Sequence, residues 1–490
     1  MLELVVFLCG AAVMILEIAG ARVLAPFLGT STVVWTGLIG IVLASLSLGY
    51  WLGGKMADKR PSPRILGGVI LLASLFTLGT ALSKTLLLDF LITYSSGPHL
   101  AVIVANLVLF APPSVFLGMV APYAMRLKLA SVGQAGRTSG NLYALSTAGS
   151  IVGTFAAGFV LIAFLGSTAI LCLVAGLLAV TAVFASRADM AGKAATVLLI
   201  ALCGAGFTAY DHTLAEEGFH DVDTRYSRIL VFESRDPDTG EPTRVMLTHP
   251  KHIQSAIYLD RPLDLVLAST RFFTLADHFV PGAKRTLLLG GGAYSYPRRL
   301  LATNPEATID VVELDPGVTE LARAYFGLAE NPRLRIFHED ARSFLNRNAG
   351  RYDVILGDIF NAHYAVPFHV VTRQAVQRIF DALNDDGVVI VNIIAAVSGK
   401  KGRFLRAVRA TYADVFPTVA LFPLGSPNDP EGMQNVMLVA KKNGPLPDAL
   451  PKDPELALFV ARRLATPLAD DVPVLTDEFA PVERYVTAWW

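Results

Sequence analysis

The stretch Arg285-Thr-Leu-Leu-Leu-Gly-Gly-Gly292 decides the fold. A short apolar run that passes directly into glycines reads as a buried strand whose carboxyl end meets a ligand. Glycine lets the main chain come closer there than any side chain would allow. Downstream, the apolar run Thr308–Val312 ends at Glu313, Leu334–Phe337 ends near Asp340, and Tyr352–Leu356 ends at Asp358. Helical patterns at Leu263–Phe279, Asp315–Phe326, Arg373–Leu383 and Lys401–Phe416 alternate with these runs and with later strands at Val388–Ile393, Val419–Phe422 and Asn435–Ala440. Strands alternating with helices predict a parallel, doubly wound sheet, an α/β Rossmann-like domain of the methyltransferase type. Such a sheet binds its ligand at the carboxyl ends of the strands, near the switch point. The acidic residues and the glycines stand at those ends.

Ahead of this domain, Tyr226–Glu233, Thr243–Thr248 and Ile253–Tyr258 read as a small antiparallel β region, with a turn at Asp236-Pro-Asp-Thr-Gly240. The expected organisation is a transmembrane region at residues 1–210, a linker at 211–223, the β region at 224–262, the Rossmann-like domain at 263–445 and a C-terminal extension at 446–490.

Charge separates the halves. Of 41 basic and 41 acidic residues, residues 1–210 hold 11 and 5, leaving 30 and 36 for the remainder. The neutral total points away from nucleic acid. A mean hydropathy of +0.50, with 53% hydrophobic residues, is too apolar for an ordinary soluble enzyme. A helical crossing of the hydrocarbon takes about 20 apolar residues. Runs of suitable length occur at Leu4–Leu24, Val33–Gly54, Ile65–Leu82 and Leu100–Val120, twice within Thr138–Ser186 with a break at Leu165-Gly-Ser-Thr168, and at Ala194–Tyr210. About seven crossings of an all-α bundle are therefore expected, and a multi-pass protein of the cell membrane. Gly149, Gly153 and Ala157, four apart, predict a close helix crossing. Glu17, the one acidic residue inside a run, is expensive at that depth. The cysteines Cys9, Cys172 and Cys203 show no metal-ligand spacing, and no metal is expected.

The site chemistry follows from the strand ends. Gly290, Gly291 and Gly292 cradle a ligand, and Glu313, closing the next strand, suits a ribose diol. A dinucleotide needs G-x-G-x-x-G to hold its pyrophosphate. Here the turn reads Gly290-Gly-Gly-Ala-Tyr-Ser-Tyr-Pro297, with Tyr294 and Tyr296 at the phosphate position, so a nucleoside without phosphates fits better. Asp340-Ala341 suits an adenine amino group.

Gln254-Ser-Ala256, Leu287-Leu-Leu-Gly-Gly-Gly292, Val311-Val-Glu-Leu-Asp315, Glu339-Asp-Ala341, Tyr352-Asp-Val-Ile-Leu-Gly-Asp358 and Leu475-Thr-Asp-Glu-Phe-Ala-Pro-Val-Glu-Arg484 resemble the spermidine synthase (polyamine aminopropyltransferase) family. Glu17-Ile-Ala-Gly-Ala-Arg-Val-Leu-Ala-Pro26 and Leu48-Gly-Tyr-Trp-Leu-Gly-Gly54 are similar to the branch fused to an N-terminal transmembrane region. The resemblance implies transfer of the aminopropyl group of decarboxylated S-adenosylmethionine to an amine, putrescine in the family, with release of methylthioadenosine. It implies Asp358 as proton acceptor, with Gln254, Glu313, Asp340 and Ala341 on the nucleoside. The implied partners are a small amine, the lipid bilayer and, as one option, a second copy of the chain. Three places depart from the family pattern: the Tyr-His pair usual before the glycine strand is missing from Ala268-Ser-Thr-Arg-Phe272, and Ala293 and Asn361 stand where carboxylates are usual. Their loss removes anionic partners for a polyamine, and it admits ordinary S-adenosylmethionine, whose carboxylate Arg271 or Arg298 would attract. Asn361, His363 and Tyr364 are candidate acceptor contacts, with His369 close behind. Methyl transfer from S-adenosylmethionine or its cleavage is the alternative chemistry, and a nucleoside- or polyamine-binding transporter or sensor is the non-enzymatic one. The basic loops at Lys55/Lys59/Arg60/Arg64, Arg126/Lys128/Arg137 and Arg187/Lys193, taken as cytoplasmic, would with seven crossings deliver residue 211 to the outside, whereas the donor is made in the cytoplasm. Of the two faces the cytoplasmic one is favoured for the catalytic domain.

Overall fold

The structure, a computed structural model, describes all residues except 96, 130, 132, 134, 187–217, 250–251, 348–349, 360–365, 467 and 487–490. The chain divides into two compact units, Met1–Glu217 with Asp221–Arg228, and Gly218–His220 with Ile229–Trp490.

The first unit is helical: α1 Leu2–Leu28, α2 Thr32–Lys59, α3 Pro63–Tyr94, α4 Pro98–Leu109, α5 Ala111–Lys128, α6 Ala135–Phe155 and α7 Ser167–Ser186. A π-helical turn at Ala156–Leu161 carries α6 on to Phe164. Among the described residues five helices are long and apolar enough to cross a membrane, or six if α4 and α5, bent by 49°, count as one span. Six of the seven expected runs fall on these helices, and the seventh, Ala194–Tyr210, lies outside the described residues. The bend has a local cause: Pro112 and Pro113 remove two N–H donors where α5 begins, so the ladder breaks at Phe110. Helix α3 runs on past the expected Leu82 to Tyr94, and Lys84 within it, buried, finds a partner in Ser167 Oγ at 2.8 Å.

Helices α1 and α6 meet backbone to backbone, as the four-residue spacing predicts. A Cβ on Gly149 would lie 2.0 Å from the Phe7 carbonyl oxygen, and one on Gly153 would lie 2.4 Å from that of Ala11. Gly149→Val is therefore expected to force the helices apart and destabilise the unit by about 3 kcal/mol or more. Gly140→Ala, in open space on the same helix, should change little. Thermal unfolding of the two detergent-solubilised variants, followed by size-exclusion chromatography, checks the contrast; equal midpoints would refute it.

The second unit contains two sheets. The strands β1 His220–Asp223, β2 Arg228–Arg235, β3 Pro242–His249 and β4 His252–Tyr258 follow one another in sheet order, β2, β3 and β4 pairing antiparallel; β1 begins in this unit and ends in the first. The larger sheet has the order β10-β11-β9-β8-β5-β6-β7, with β5 Arg285–Leu289, β6 Thr308–Glu313, β7 Leu334–His338, β8 Tyr352–Gly357, β9 Leu383–Ala395, β10 Thr418–Pro423 and β11 Gln434–Lys441. Five strands are parallel, but β11 and β10 run antiparallel, so the sheet is mixed where a parallel one was expected. Consecutive strands without a helix between them, as β10 and β11 are, can only pair antiparallel. The helix expected over Leu263–Phe279 is also shorter, two pieces at Ala268–Phe273 and Ala276–Phe279. Leu265 is drawn instead into a bridge with Ile257 of β4. The strand order changes sense at β5: β6 and β7 follow on one side of it and β8 and β9 on the other, all parallel. This is the switch point that places a ligand cleft.

Candidate active site

The switch point holds two main-chain turns in contact. The Gly290 N–H donates to the Val312 carbonyl and the Asp358 N–H to the Leu289 carbonyl, both at 2.8 Å, extending the ladder beyond the strands. Gly290 has φ +92°, a conformation that favours glycine. A Cβ there would lie 2.3 Å from the Asp358 carbonyl oxygen. The glycine is required, both by its dihedral and by the approach of the neighbouring strand end.

A cleft opens over these turns, lined by Gln254, Ser255, Gly290–Ala293, Ser295–Pro297, Glu313 and Asp358, with Leu267, Thr270 and Phe273 among its less polar walls. It brings together Gln254, Gly290, Gly291, Gly292, Glu313 and Asp358, all expected from the sequence. Gln254 Oε1 is buried with no hydrogen-bond partner among the described residues. A buried acceptor without a partner is costly, so it marks a place for a ligand donor. Glu313 is 7% exposed. One oxygen accepts from the Gly291 N–H at 2.8 Å and the Gly292 N–H at 3.4 Å, the other from the Asp315 N–H at 3.0 Å. Burial raises its pKa against these three donors. The glycine turn and the second strand end are thus tied through one carboxylate.

Asp358 is half-buried. Burial pushes its carboxyl up to about 6, while a 2.9 Å hydrogen bond from Asn392 Nδ2 to Oδ1 favours the ionised form. Its proton affinity lies close to neutrality, as a general base requires.

Asp340 and Ala341 stand at the end of β7 but outside the lining of this cleft. Asp340 accepts from the Ser343 N–H at 3.0 Å and pairs with His369 Nε2 at 2.9 Å. Burial raises its pKa, but these hydrogen bonds outweigh that and hold it below the usual range. His369 is thereby occupied on Asp340. Asn361, His363 and Tyr364 lie outside the described residues.

Two expectations from the sequence are corrected. Tyr294 does not crowd the cleft: it takes a left-handed conformation (φ 56°), and its buried hydroxyl pairs with Thr319 Oγ1 at 2.7 Å, leaving Tyr296 on the wall. Neither Arg271 nor Arg298 lines the cleft; Arg271 is paired with Glu455 at 2.7 Å. Sequence reasoning passed over Ser255, whose Oγ accepts from the Ala293 N–H at 3.0 Å, and Asn392. The available signal for Asn392 was its place as the one polar residue in Val388-Val-Ile-Val-Asn-Ile-Ile-Ala395.

Among the described residues no three His, Cys, Asp or Glu side chains gather as a metal site. A family model described as the spermine/spermidine synthase domain matches residues 272–447. The polyamine aminopropyltransferase of Vibrio vulnificus is 30% identical over 201 residues, 40% of this chain and 64% of that one. The probable polyamine aminopropyl transferase of Bifidobacterium longum is 30% identical over 244 residues, 49% of each. The chain thus spans less than two thirds of the length of either relative. A solved structure described as a probable spermidine synthase from Corynebacterium glutamicum aligns over 48% of this chain and 83% of its own, at 21% identity and a TM-score of 0.41. The match to the spermine/spermidine synthase domain thus lies within the C-terminal half of the chain, over residues 272–447.

Proposed function

We propose that the protein is a membrane-anchored aminopropyltransferase that moves the aminopropyl group of decarboxylated S-adenosylmethionine to a small amine and releases methylthioadenosine. The observation that carries this reading is Asp358, a carboxylate poised near neutrality on the same cleft as the glycine turn and the unpartnered Gln254 oxygen. Gln254 and Glu313 would hold the nucleoside, and the adenine would extend toward Asp340 and Ala341 at the end of β7. The amine nitrogen attacks the propyl carbon next to the sulfonium, the carbon–sulfur bond breaks, and the electron pair stays on sulfur. An ammonium has no lone pair, so Asp358 takes its proton before attack. Alignment of two bound substrates supplies much of the remaining acceleration.

The cleft also favours the decarboxylated donor. Its described lining carries two carboxylates, Glu313 and Asp358, and no basic side chain. That field suits a sulfonium with an ammonium tail, and it offers nothing to the carboxylate of ordinary S-adenosylmethionine. Putrescine is the acceptor that the family resemblance supplies. Ala293 stands where the family places a carboxylate, so a monoamine competes with it. The apolar helices of the first unit anchor the enzyme to the bilayer, with the catalytic unit on the cytoplasmic face, where the donor is made. Cysteine-label accessibility of residues 220–490 in intact cells tests the face.

Full-length protein in detergent, given either sulfonium donor and a set of amines, should yield methylthioadenosine by mass spectrometry. S-adenosylhomocysteine in its place would make the enzyme a methyltransferase, and tight nucleoside binding without any product would make it a sensor. With Asp358 as base, kcat/KM should fall about tenfold per unit as pH drops below about 6.

A further inference from the structure

Behind the base runs a chain of amides. Asn392 is 5% exposed within an apolar strand, a costly position for an amide unless both its ends are bonded. Both are: Nδ2 donates to Asp358 Oδ1 at 2.9 Å, and Oδ1 accepts from Asn435 Nδ2 at 2.8 Å. Antiparallel pairing sets this up. Met437 lies opposite Asn392 and Asn435 opposite Ile394, so the two asparagines are diagonal neighbours on one face. The main chain at Asn435 is held by its own carbonyl, which accepts from the Leu424 N–H at 2.9 Å.

The chain has a direction. With Asp358 ionised, an Asn392 amide turned the other way would set its oxygen against the carboxylate and its N–H₂ against that of Asn435. Both bonds would be lost. Resting on the aminopropyl-transfer reading of the cleft, we infer that Asn392, oriented by Asn435, is a positioning residue that keeps Asp358 ionised and leaves Oδ2 free for the acceptor amine. The other ionisable groups on the described lining are Glu313 and Tyr296; from β9 the uncharged Asn392 amide bonds Asp358, and from β11 the uncharged Asn435 amide bonds Asn392. His363 and Tyr364 lie outside the described residues.

Two variants test the inference in full-length, detergent-solubilised protein. Asn392→Leu removes the donor. Asn435→Asp keeps the shape but replaces a donor with an acceptor, drawing the Asn392 N–H away and turning its oxygen toward Asp358. Each should raise the pH of the acid limb of kcat/KM by about one unit and leave activity above pH 8 within a few-fold of the parent. Infrared titration of the carboxyl band, with Asp358→Asn as blank, should show the same shift without turnover. A limb that stays in place while activity falls equally at all pH values would reduce Asn392 to a structural role and overturn the inference. If the parent forms no product with any donor and amine, the aminopropyl reading fails. The infrared titration then decides the relay alone, an upward shift supporting it and no shift overturning it.

Discussion

Asp358→Asn should lower turnover by about 10³-fold and at the same time raise thermal stability. The shape is unchanged, and the new amide oxygen can still accept the Asn392 N–H, but no proton can be taken from the acceptor. The stability effect has the opposite sign because the folded carboxyl has its pKa raised from 3.8 to about 6. A carboxyl with a raised folded pKa contributes stability that is complete below the unfolded value and is lost as pH rises through the folded one. At pH 7 the parent has lost that contribution; the amide never had it to lose. With allowance for the part of the side chain that water reaches, the difference is about 1 to 2 kcal/mol. It should shrink as pH falls from 6 and vanish below about 4. Calorimetry across this range, beside a product assay at pH 7.5, measures both effects. A variant keeping a tenth of the parent rate would move the proton acceptor elsewhere, and an unaltered Tm would contradict the burial argument.

Gly290→Ala is the second large effect. The new methyl would sit 2.3 Å from the Asp358 carbonyl oxygen, on a residue whose φ of +92° already disfavours a side chain. Rigid backbone from β8 is what it meets, so the two strand ends must separate. A loss of about 3 kcal/mol in stability is expected, with nucleoside affinity falling by 10²-fold or more as Gly291 and Gly292 move off Glu313. Isothermal titration with methylthioadenosine reads the affinity. Binding within a few-fold of the parent would show that the turn does not hold the nucleoside.

The two effects trace to residues of different legibility. Gly290, Glu313 and Asp358 were visible because each ends an apolar run, and a run of that length between helical stretches has few other readings. The strand positions held for the same reason: β5, β6 and β8 are continuous apolar runs buried on both faces, a pattern that does not depend on which strand lies alongside. The bend at Phe110 was less visible, although Pro112 and Pro113 announce a missing pair of donors, because an apolar run reads the same whether straight or broken. The antiparallel edge strands and the two short helices at Ala268–Phe273 and Ala276–Phe279 depend on which neighbour each segment finds.

The amino-acid order alone therefore determined the division into an apolar helical part and an α/β part, the strand ends that hold the glycines and carboxylates, and the small-residue face of α6 that admits a close helix crossing. All three rest on local patterns of hydropathy and side-chain size. Only the tertiary structure decided that Asp340 turns to His369, that Tyr294 faces Thr319 rather than the cleft, and that Asn435 and Asn392 stand behind Asp358. Those pairings join residues 25 to 43 positions apart, and a buried polar group takes whichever partner the packed strands bring within reach.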